Sequence, residues 1–276
     1  MLVPIGAGTS IDVTDAGRGP AVVLLHGWPV TALHWRHVVP ELRRAGYRTI
    51  EVEARGLGDV STGRGDHAKA TLAREVLAAL DAVGVRRFAV IGHDWGATIA
   101  LLMATQQPGR VAALVVEEEV PPGIEVQAAE SEHYPAWHGP LFRAPEGVAE
   151  RLLAGRLDAT VDAYLGGSAG PGGLEFDAHV SYMGAYATDD RLASTLALYR
   201  AEPADAEAVR RATRRRLAVP GLAIAGRYGR GPQVAEALSR SVVRVHSVVA
   251  RDAGHYPAEE APDTVNAALI PFLRAA

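Results

Sequence analysis

The sequence predicts an α/β fold in which a mostly parallel, twisted sheet carries helices on both faces. Short apolar runs typical of buried strands alternate with helix-like segments such as 72–83, where apolar residues recur every three or four positions. This alternation is typical of parallel strands joined by crossover helices. It stops near residue 121 and resumes near residue 219, which predicts an inserted helical segment. A third observation is a turn flanked by small residues at 92–96, between a strand and a helix.

The predicted strands define a core that the helical insertion divides into two parts. We assign residues 1–120 and 206–276 to the α/β core and residues 121–205 to a helical cap, which holds many of the aromatic residues. Within the cap, we expect the glycine-rich stretch 166–173 to be a flexible connection. In chain order, the predicted strands are 21–25, 49–52, 88–91, 113–116, 222–225 and 242–249.

Composition excludes several classes of function. The chain has 276 residues, 48% of them hydrophobic, which suits one globular unit with a sizeable core. A net charge of −4 without a polybasic patch argues against nucleic acid as a partner. The absence of cysteine excludes thiolate chemistry and disulfides. Since neither a signal peptide nor a membrane-spanning stretch is evident, we expect a cytoplasmic protein that binds a small molecule; the pattern allows a homodimer without requiring one.

The turn at 92–96 reads Gly-His-Asp-Trp-Gly and carries the most informative residue of the chain, Asp94. Small residues two positions to either side are typical of the nucleophile elbow, a tight strand-to-helix turn that lifts one side chain out of the sheet. Asp94 in this position predicts a carboxylate that attacks an electrophilic carbon and leaves an alkyl ester. The amide of Trp95 and the helix N-terminus favour its negative charge. Alone, the pattern would also fit a structural turn.

Three further segments raise the case for chemistry. His26-Gly27-Trp28-Pro29 follows the strand 21–25, so the amides of Trp28 and Trp95 are expected to hold the oxyanion that forms when the ester collapses. Ala253-Gly254-His255-Tyr256-Pro257 follows the last strand. Three consecutive glutamates at 117–119 follow the strand 113–116; strand side chains alternate, so only one or two can face the site, and all three could instead be solvated.

Together with Arg55-Gly56-Leu57-Gly58-Asp59, these segments resemble the α/β-hydrolase superfamily, specifically its branch of epoxide hydrolases and dehalogenases with an Asp nucleophile. The resemblance covers nearly the whole chain and implies the α/β-hydrolase fold with a helical cap. It implies that His255 deprotonates the water that attacks the ester.

The acid that orients His255 is less certain from the pattern alone. Many members of the superfamily carry an Asp after the late strand 222–225, but residues 226–231 contain no carboxylate here. The other known location is the end of the strand after the nucleophile helix, which implies Glu118, twenty-four residues after Asp94. Asp252 is a poorer choice because it lies only three residues from His255, in the same turn.

The cap must distinguish between the reactions of this branch. Epoxide opening needs a proton donor, and the chain most resembles bacterial epoxide hydrolases that use a His and a Tyr, which implies His138 and Tyr199 as ring-opening donors. Both could instead be packing residues of the cap, and Tyr182 and Tyr186 are rivals for the donor role. The predicted substrate-binding residues are Trp28, Trp95, Trp137, Tyr182 and Tyr186.

Three functions follow from these residues, and none of them implies a cofactor or a metal. The first is an epoxide hydrolase that forms a vicinal diol. The second is a haloalkane dehalogenase, in which the indole N–H of Trp95 would bind the halide, although no Asn lies near Trp28 to supply a second donor. Small haloacids are disfavoured as substrates. The related fluoroacetate dehalogenases carry a Trp directly after the cap His, where this chain has Gly139. They also carry Arg beside the nucleophile to bind the substrate carboxylate, where this chain has Trp95 and Thr98. The third is a non-catalytic binding protein of the same fold.

Overall fold

The computed structural model describes residues 1–6, 8–58, 65–129, 131 and 133–276. Asp59, the last residue of the Arg55-Gly56-Leu57-Gly58-Asp59 segment, therefore lies outside the described residues. The strands of these ranges form one sheet in the order β1-β2-β4-β3-β5-β6-β7-β8. They are β1 (Leu2–Gly6), β2 (Thr9–Ala16), β3 (Ala21–Leu25), β4 (Arg48–Glu53), β5 (Phe88–His93), β6 (Val111–Glu117), β7 (Leu217–Gly226) and β8 (Val242–Ala250).

The six strands β4-β3-β5-β6-β7-β8 run parallel to one another. At the edge of the sheet, β2 pairs antiparallel with both β1 and β4. The carboxyl ends of β3, β5 and β6 therefore meet at one edge, where Leu25 pairs with Gly92 and His93 pairs with Glu117. The predicted α/β fold class is confirmed. The six predicted strands are present, whereas the hairpin of β1 and β2 is missing from the prediction. Its signal is the short alternation of buried Ile11 and Val13 with more exposed neighbours.

Helices cover both faces of the sheet. A short 3₁₀ helix spans Ala32–Trp35. The α-helices are α1 (Val39–Arg44), α2 (Lys69–Ala82), α3 (Trp95–Gln106), α4 (His138–Phe142), α5 (Val148–Leu153), α6 (Leu157–Ser168), α7 (Phe176–Ala185), α8 (Asp189–Arg200), α9 (Glu202–Ala212), α10 (Pro232–Ser241), α11 (Pro257–Glu260) and α12 (Pro262–Ala275).

The two faces of the sheet bury two separate hydrophobic clusters. Along β3, Val23 and Leu25 belong to the cluster that includes residues of α2, α3 and α10, whereas Val22 and Leu24 belong to the cluster that includes residues of α1 and α12. Successive residues of a strand point to opposite faces, so a run of consecutive apolar residues is what a sheet covered on both sides requires.

The segment between β6 and β7 is helical, with α4 to α9 in succession. The assignment of residues 121–205 to a separate cap stays a prediction, and its boundary at 205 falls inside α9. The glycine-rich stretch requires a correction, because Gly166 and Gly167 continue α6 and the connection begins at residue 169. The last residue of this helix, Ser168, is buried. Its hydroxyl donates to the carbonyl of Tyr164, and its own backbone carbonyl accepts from the amide of His255, which holds the end of the helix in place.

Among the helices that the structure describes, none has both the length and the apolar character needed to cross a bilayer.

The tight packing at the start of α3 gives a first prediction. A Cβ added to Gly96 would lie 2.3 Å from the carbonyl oxygen of Leu25, so a methyl group there must displace backbone. We expect Gly96→Ala to lower the free energy of unfolding by about 2–3 kcal/mol, measured by urea denaturation. The control is Gly184→Ala in α7, where the added methyl meets nothing within 4 Å; helix propensity should make it about 0.5–1 kcal/mol more stable. Equal stability of the two variants would contradict this packing argument.

Candidate active site

Asp94 lies between β5 and α3 with φ 50° and ψ −128°, a backbone conformation that is strained for any residue with a side chain. The strain persists because the surroundings leave no alternative. A Cβ on Gly92 would come within 2.4 Å of the Ala97 backbone, and Gly96 is equally confined. The two glycines let β3, β5 and α3 approach closely enough to project the carboxylate from the edge of the sheet.

Two backbone amides hold the carboxylate of Asp94. The amide of Trp28 donates to Oδ1 at 2.9 Å, and the amide of Trp95 also hydrogen-bonds the carboxylate. Gly27 has to be glycine, because a Cβ there would lie 2.4 Å from Cβ of Asp94. Burial alone would raise the pKa of Asp94, but the neighbouring His255, together with the two amides, outweighs it and lowers that pKa. The carboxylate is therefore kept ionised.

His255 stands between the two carboxylates that the sequence singled out. Its Nε2 lies 3.5 Å from Oδ2 of Asp94, and its Nδ1 lies 3.3 Å from Oε2 of Glu118. Burial opposes a charged imidazole, yet interactions with Tyr134, Asp94 and Glu118 raise the pKa of His255 well above its ordinary value. The imidazole is thus poised to exchange a proton on the Asp94 side while Glu118 orients it from the other side.

Glu118 is anchored by the backbone that follows β7. Its carboxylate accepts from the amide of Gly226 at 2.8 Å and from the amide of Arg230 at 2.9 Å. Gly229 must be glycine here, because a Cβ would lie 2.2 Å from Oε2 of Glu118. With φ 50°, Glu118 shares its left-handed backbone with Asp94, and these two are the only non-glycine residues of the described ranges with positive φ.

The three consecutive glutamates are all buried, so the alternative of three solvated side chains is wrong. Glu117, the last residue of β6, accepts from the amide of Ala258 at 2.7 Å and lies 3.5 Å from His34. Glu118 turns to His255. Glu119 faces the cavity above Asp94, and strand alternation does not apply to it because β6 has already ended.

The cavity in front of Asp94 has a volume of about 270 Å³. Four of the predicted site residues line it, namely Asp94, Trp95, His138 and Tyr199. Five other lining residues have polar side chains, and of these only Glu119 was a candidate from the sequence, as one of the three consecutive glutamates. The five are Glu119, Tyr134, Arg143, Glu202 and Arg230, of which Arg143 donates to Glu202.

His138 and Tyr199 reach this cavity from the helical segment. The Nδ1–H of His138 donates to the carbonyl of Pro135 at 2.9 Å, so the neutral ring presents Nε2 as an acceptor. Burial is the main cause that lowers the pKa of His138 to about 4. Tyr199 packs edge-on against Trp95 at 5.3 Å between ring centroids, and burial, then the charge of Asp94, raises its pKa well above the ordinary value.

Four predicted substrate-binding side chains do not line the cavity, which corrects that part of the prediction. The indole N–H of Trp28 donates to Thr195 at 3.2 Å, beneath the cavity wall. Tyr182 donates to Glu259 at 2.8 Å, and Tyr186 donates to the carbonyl of Val30. These three rings are fully buried and tie helices of the insertion to the core, whereas Trp137 is 42% exposed.

Lys69 is a buried residue that the sequence gave no reason to select. Its ammonium group lies 3.7 Å from the centroid of the Trp95 ring and 2.9 Å from Asp205 of α9. It also donates to the carbonyl of Leu198. The ammonium group of Lys69 therefore makes a cation–π contact with the Trp95 ring, which helps to fix the position of that ring. Within the described ranges, no group of three or more His, Asp or Glu side chains has the arrangement of a metal site.

The protonation of His138 gives a second prediction. Because folding lowers its pKa from the usual 6.5 to about 4, we expect a neutral, Nδ1-protonated ring from about pH 5 to pH 8. Its contribution to stability should decline as the pH falls from 6.5 towards 4. Imidazole ¹⁵N–¹H correlation spectra, assigned with His138→Gln, measure the tautomer directly. His34, whose pKa is raised to about 9, is the internal control and should stay doubly protonated at neutral pH. A Nε2-protonated His138, or one that titrates near pH 6.5, would contradict the structure.

Comparison with known proteins places this geometry among hydrolases. Residues 20–262 match the family model described as alpha/beta hydrolase fold. Epoxide hydrolase A of Mycobacterium tuberculosis is 29% identical over 310 residues, covering 96% of this chain and 94% of the relative. Bifunctional epoxide hydrolase 2 of Rattus norvegicus is 30% identical over 168 residues, which span 59% of this chain and only 30% of the rat protein.

The fold comparison agrees with these sequence relatives. The structure of epoxide hydrolase CorEH superimposes with a TM-score of 0.88, covering 99% of this chain and 98% of that chain at 23% identity. The predicted resemblance to the epoxide hydrolase branch is confirmed. The chain belongs to the α/β-hydrolase fold family.

Proposed function

We propose that the protein is an epoxide hydrolase that forms a vicinal diol through a covalent ester on Asp94. The observation that carries the proposal is one small cavity wall that combines an ionised carboxylate on a strained elbow with a buried tyrosine, Tyr199. A carboxylate nucleophile can open an epoxide when a nearby group protonates the departing oxygen. Epoxide hydrolase A of Mycobacterium tuberculosis, which aligns with this chain over nearly its full length, supports the same reaction.

In the first half-reaction, Asp94 attacks an epoxide carbon and the C–O bond of the ring breaks. We assign the proton for the released oxygen to Tyr199, which burial keeps protonated. His138 faces the same cavity, but its Nδ1 proton is held by Pro135. It could therefore donate through Nε2 only as an imidazolium, which its low pKa disfavours. In the pair predicted from the sequence, Tyr199 transfers the proton and neutral His138 orients the substrate.

In the second half-reaction, His255 takes a proton from the water that attacks the ester carbon of Asp94. The ester C–O bond to the product then breaks, the diol leaves with the other proton of that water, and the proton held by His255 returns to Tyr199. Formation of the ester removes the charge of Asp94, which is one of the causes that raise the pKa of His255. That pKa then falls, favouring the neutral imidazole that acts as a base. The oxyanion develops on Asp94 itself, so the amides of Trp28 and Trp95, which already hold this carboxylate, need no rearrangement to stabilise it.

A haloalkane dehalogenase is the second candidate, because Trp95 lines the cavity beside the nucleophile. This alternative requires a second N–H donor to bind the halide, and Trp28 does not supply one. The indole N–H of Trp28 already donates to Thr195 and lies outside the cavity wall. A non-catalytic binding protein is disfavoured because the chain keeps a nucleophile, a base and an acid together, with His255 3.5 Å from Asp94 and 3.3 Å from Glu118.

The decisive experiment traps the ester. A His255→Gln variant should form the ester on Asp94 and fail to hydrolyse it, so intact-protein mass should increase by the mass of a whole epoxide molecule. The same variant combined with Asp94→Asn is the control and should gain nothing. An added alkyl mass with free halide in solution would instead indicate the dehalogenase. Turnover of epoxides by the wild-type protein without any adduct on the variant would contradict the mechanism.

A further inference from the structure

Glu119 is a buried carboxyl in the cavity wall that the proposed mechanism does not use. Its side chain is only slightly exposed, and Thr98 donates to Oε1 at 2.7 Å. Among the described residues, Thr98 is the only hydrogen-bond partner of this carboxyl, so Oε2 is left to the cavity that Glu119 lines. A buried carboxyl without full hydrogen bonding is costly to keep. A substrate group that binds Oε2 would remove that cost.

The position of Glu119 in the cavity makes contact with a substrate direct. It lines the same cavity as Asp94, whose charge is the largest influence on its pKa after burial, and together they raise that pKa to about 7. Arg230 lines the cavity as well, with its guanidinium 4.5 Å from the centroid of the Tyr134 ring. Arg230 is close enough to Glu119 for its positive charge to favour the ionised carboxyl.

The charges of Asp94, Glu119 and Arg230 in the cavity wall determine which kind of substrate group can bind there. A carboxylate on the substrate would be repelled by Asp94, and by Glu119 once that carboxyl is ionised. An ammonium group would be attracted by Asp94 but repelled by Arg230, so the wall as a whole matches neither ion. A neutral hydroxyl avoids both problems, since it can donate to the carboxyl oxygen and accept from the guanidinium. The small volume of the cavity, about 270 Å³, suits a compact molecule.

We infer that Glu119 and Arg230 bind a hydroxyl group of the substrate. Because they share one small cavity with Asp94, this hydroxyl must lie close to the ring, so the preferred epoxides carry it on the carbon next to the ring. This inference rests on the proposed epoxide hydrolase function and names its substrate class. Glu119 then determines substrate specificity without taking part in the chemistry. Asp94 opens the ring, and His255 activates the water.

Glycidol and 1,2-epoxybutane form a matched pair for the test, because they differ only in a terminal hydroxyl or methyl group. We expect wild-type kcat/KM for glycidol to exceed that for 1,2-epoxybutane by about 10–100-fold. Glu119→Leu should reduce this ratio at least about tenfold, mainly by weakening turnover of glycidol. Glu119→Gln keeps the shape of the side chain, and its amide can donate to the Thr98 hydroxyl while its oxygen accepts from the substrate, so the ratio should stay within about threefold of wild type.

Val120→Ala is the control, because it alters the neighbouring apolar part of the same wall and should change both substrates alike. A wild-type ratio near one, or equal loss of both activities in Glu119→Leu, would overturn the inference while leaving the epoxide hydrolase intact. The wild-type ratio decides the question even if a variant does not fold. Failure to turn over either epoxide, with no adduct on His255→Gln, would instead overturn the proposed function and the inference together.

Discussion

The backbone of Asp94 is the constraint on which the rest of the site depends. A carboxylate can stand clear of the sheet edge only because the chain reverses within a few residues at positive φ. That reversal requires neighbours without a Cβ, and Gly27, Gly92 and Gly96 each meet another part of the turn within 2.4 Å when a Cβ is added. The turn also aims the amides of Trp28 and Trp95 at the carboxylate. Strain, glycine packing and charge stabilisation thus have one structural origin.

Burial of several ionisable groups beside that turn makes their charges interdependent. Asp94 and Glu118 are both within reach of His255, and each favours its charged form. Glu119 lies beside Asp94 and has the opposite tendency, since burial and like charge favour its protonated form. In the proposed mechanism, alkylation of Asp94 would remove one charge from this set and so shift the protonation of its neighbours. A nucleophile and a base would then act in sequence.

A second buried network connects the base to the helical segment. His34 lies 2.9 Å from Glu259, which also accepts from Tyr182 of α7. Glu117 completes the network from the end of β6, 3.5 Å from His34. Glu259 belongs to α11, directly after the loop that carries His255. The network therefore fixes the base loop and α7 to the same charged cluster, which explains why Tyr182 serves structure and does not line the cavity.

Sequence patterns predicted what local chemistry determines and missed what tertiary packing determines. The elbow around Asp94 was identifiable because it depends on a short motif at the end of a strand, whereas Glu118 was implied by the resemblance to the α/β-hydrolase superfamily. The roles of Glu119 and Tyr134 were not identifiable, since the end of β6 and the fold of the helical segment decide which way they face. Aromatic residues such as Tyr186 have no local signal that separates a cavity wall from a buried contact. The short hairpin of β1 and β2 was overlooked because only two of its alternating residues are strongly apolar and buried, Ile11 and Val13.

The most direct test of the account follows the oxygen atoms. In a single turnover with enzyme in excess and ¹⁸O-labelled water, the diol should take its new oxygen from Asp94 and carry no label. The water oxygen should remain in the carboxylate of Asp94, where mass spectrometry of the peptide that contains it would detect one heavy oxygen. Label in the first-turnover diol, with none in that peptide, would mean that water attacks the epoxide directly and would contradict the covalent role of Asp94.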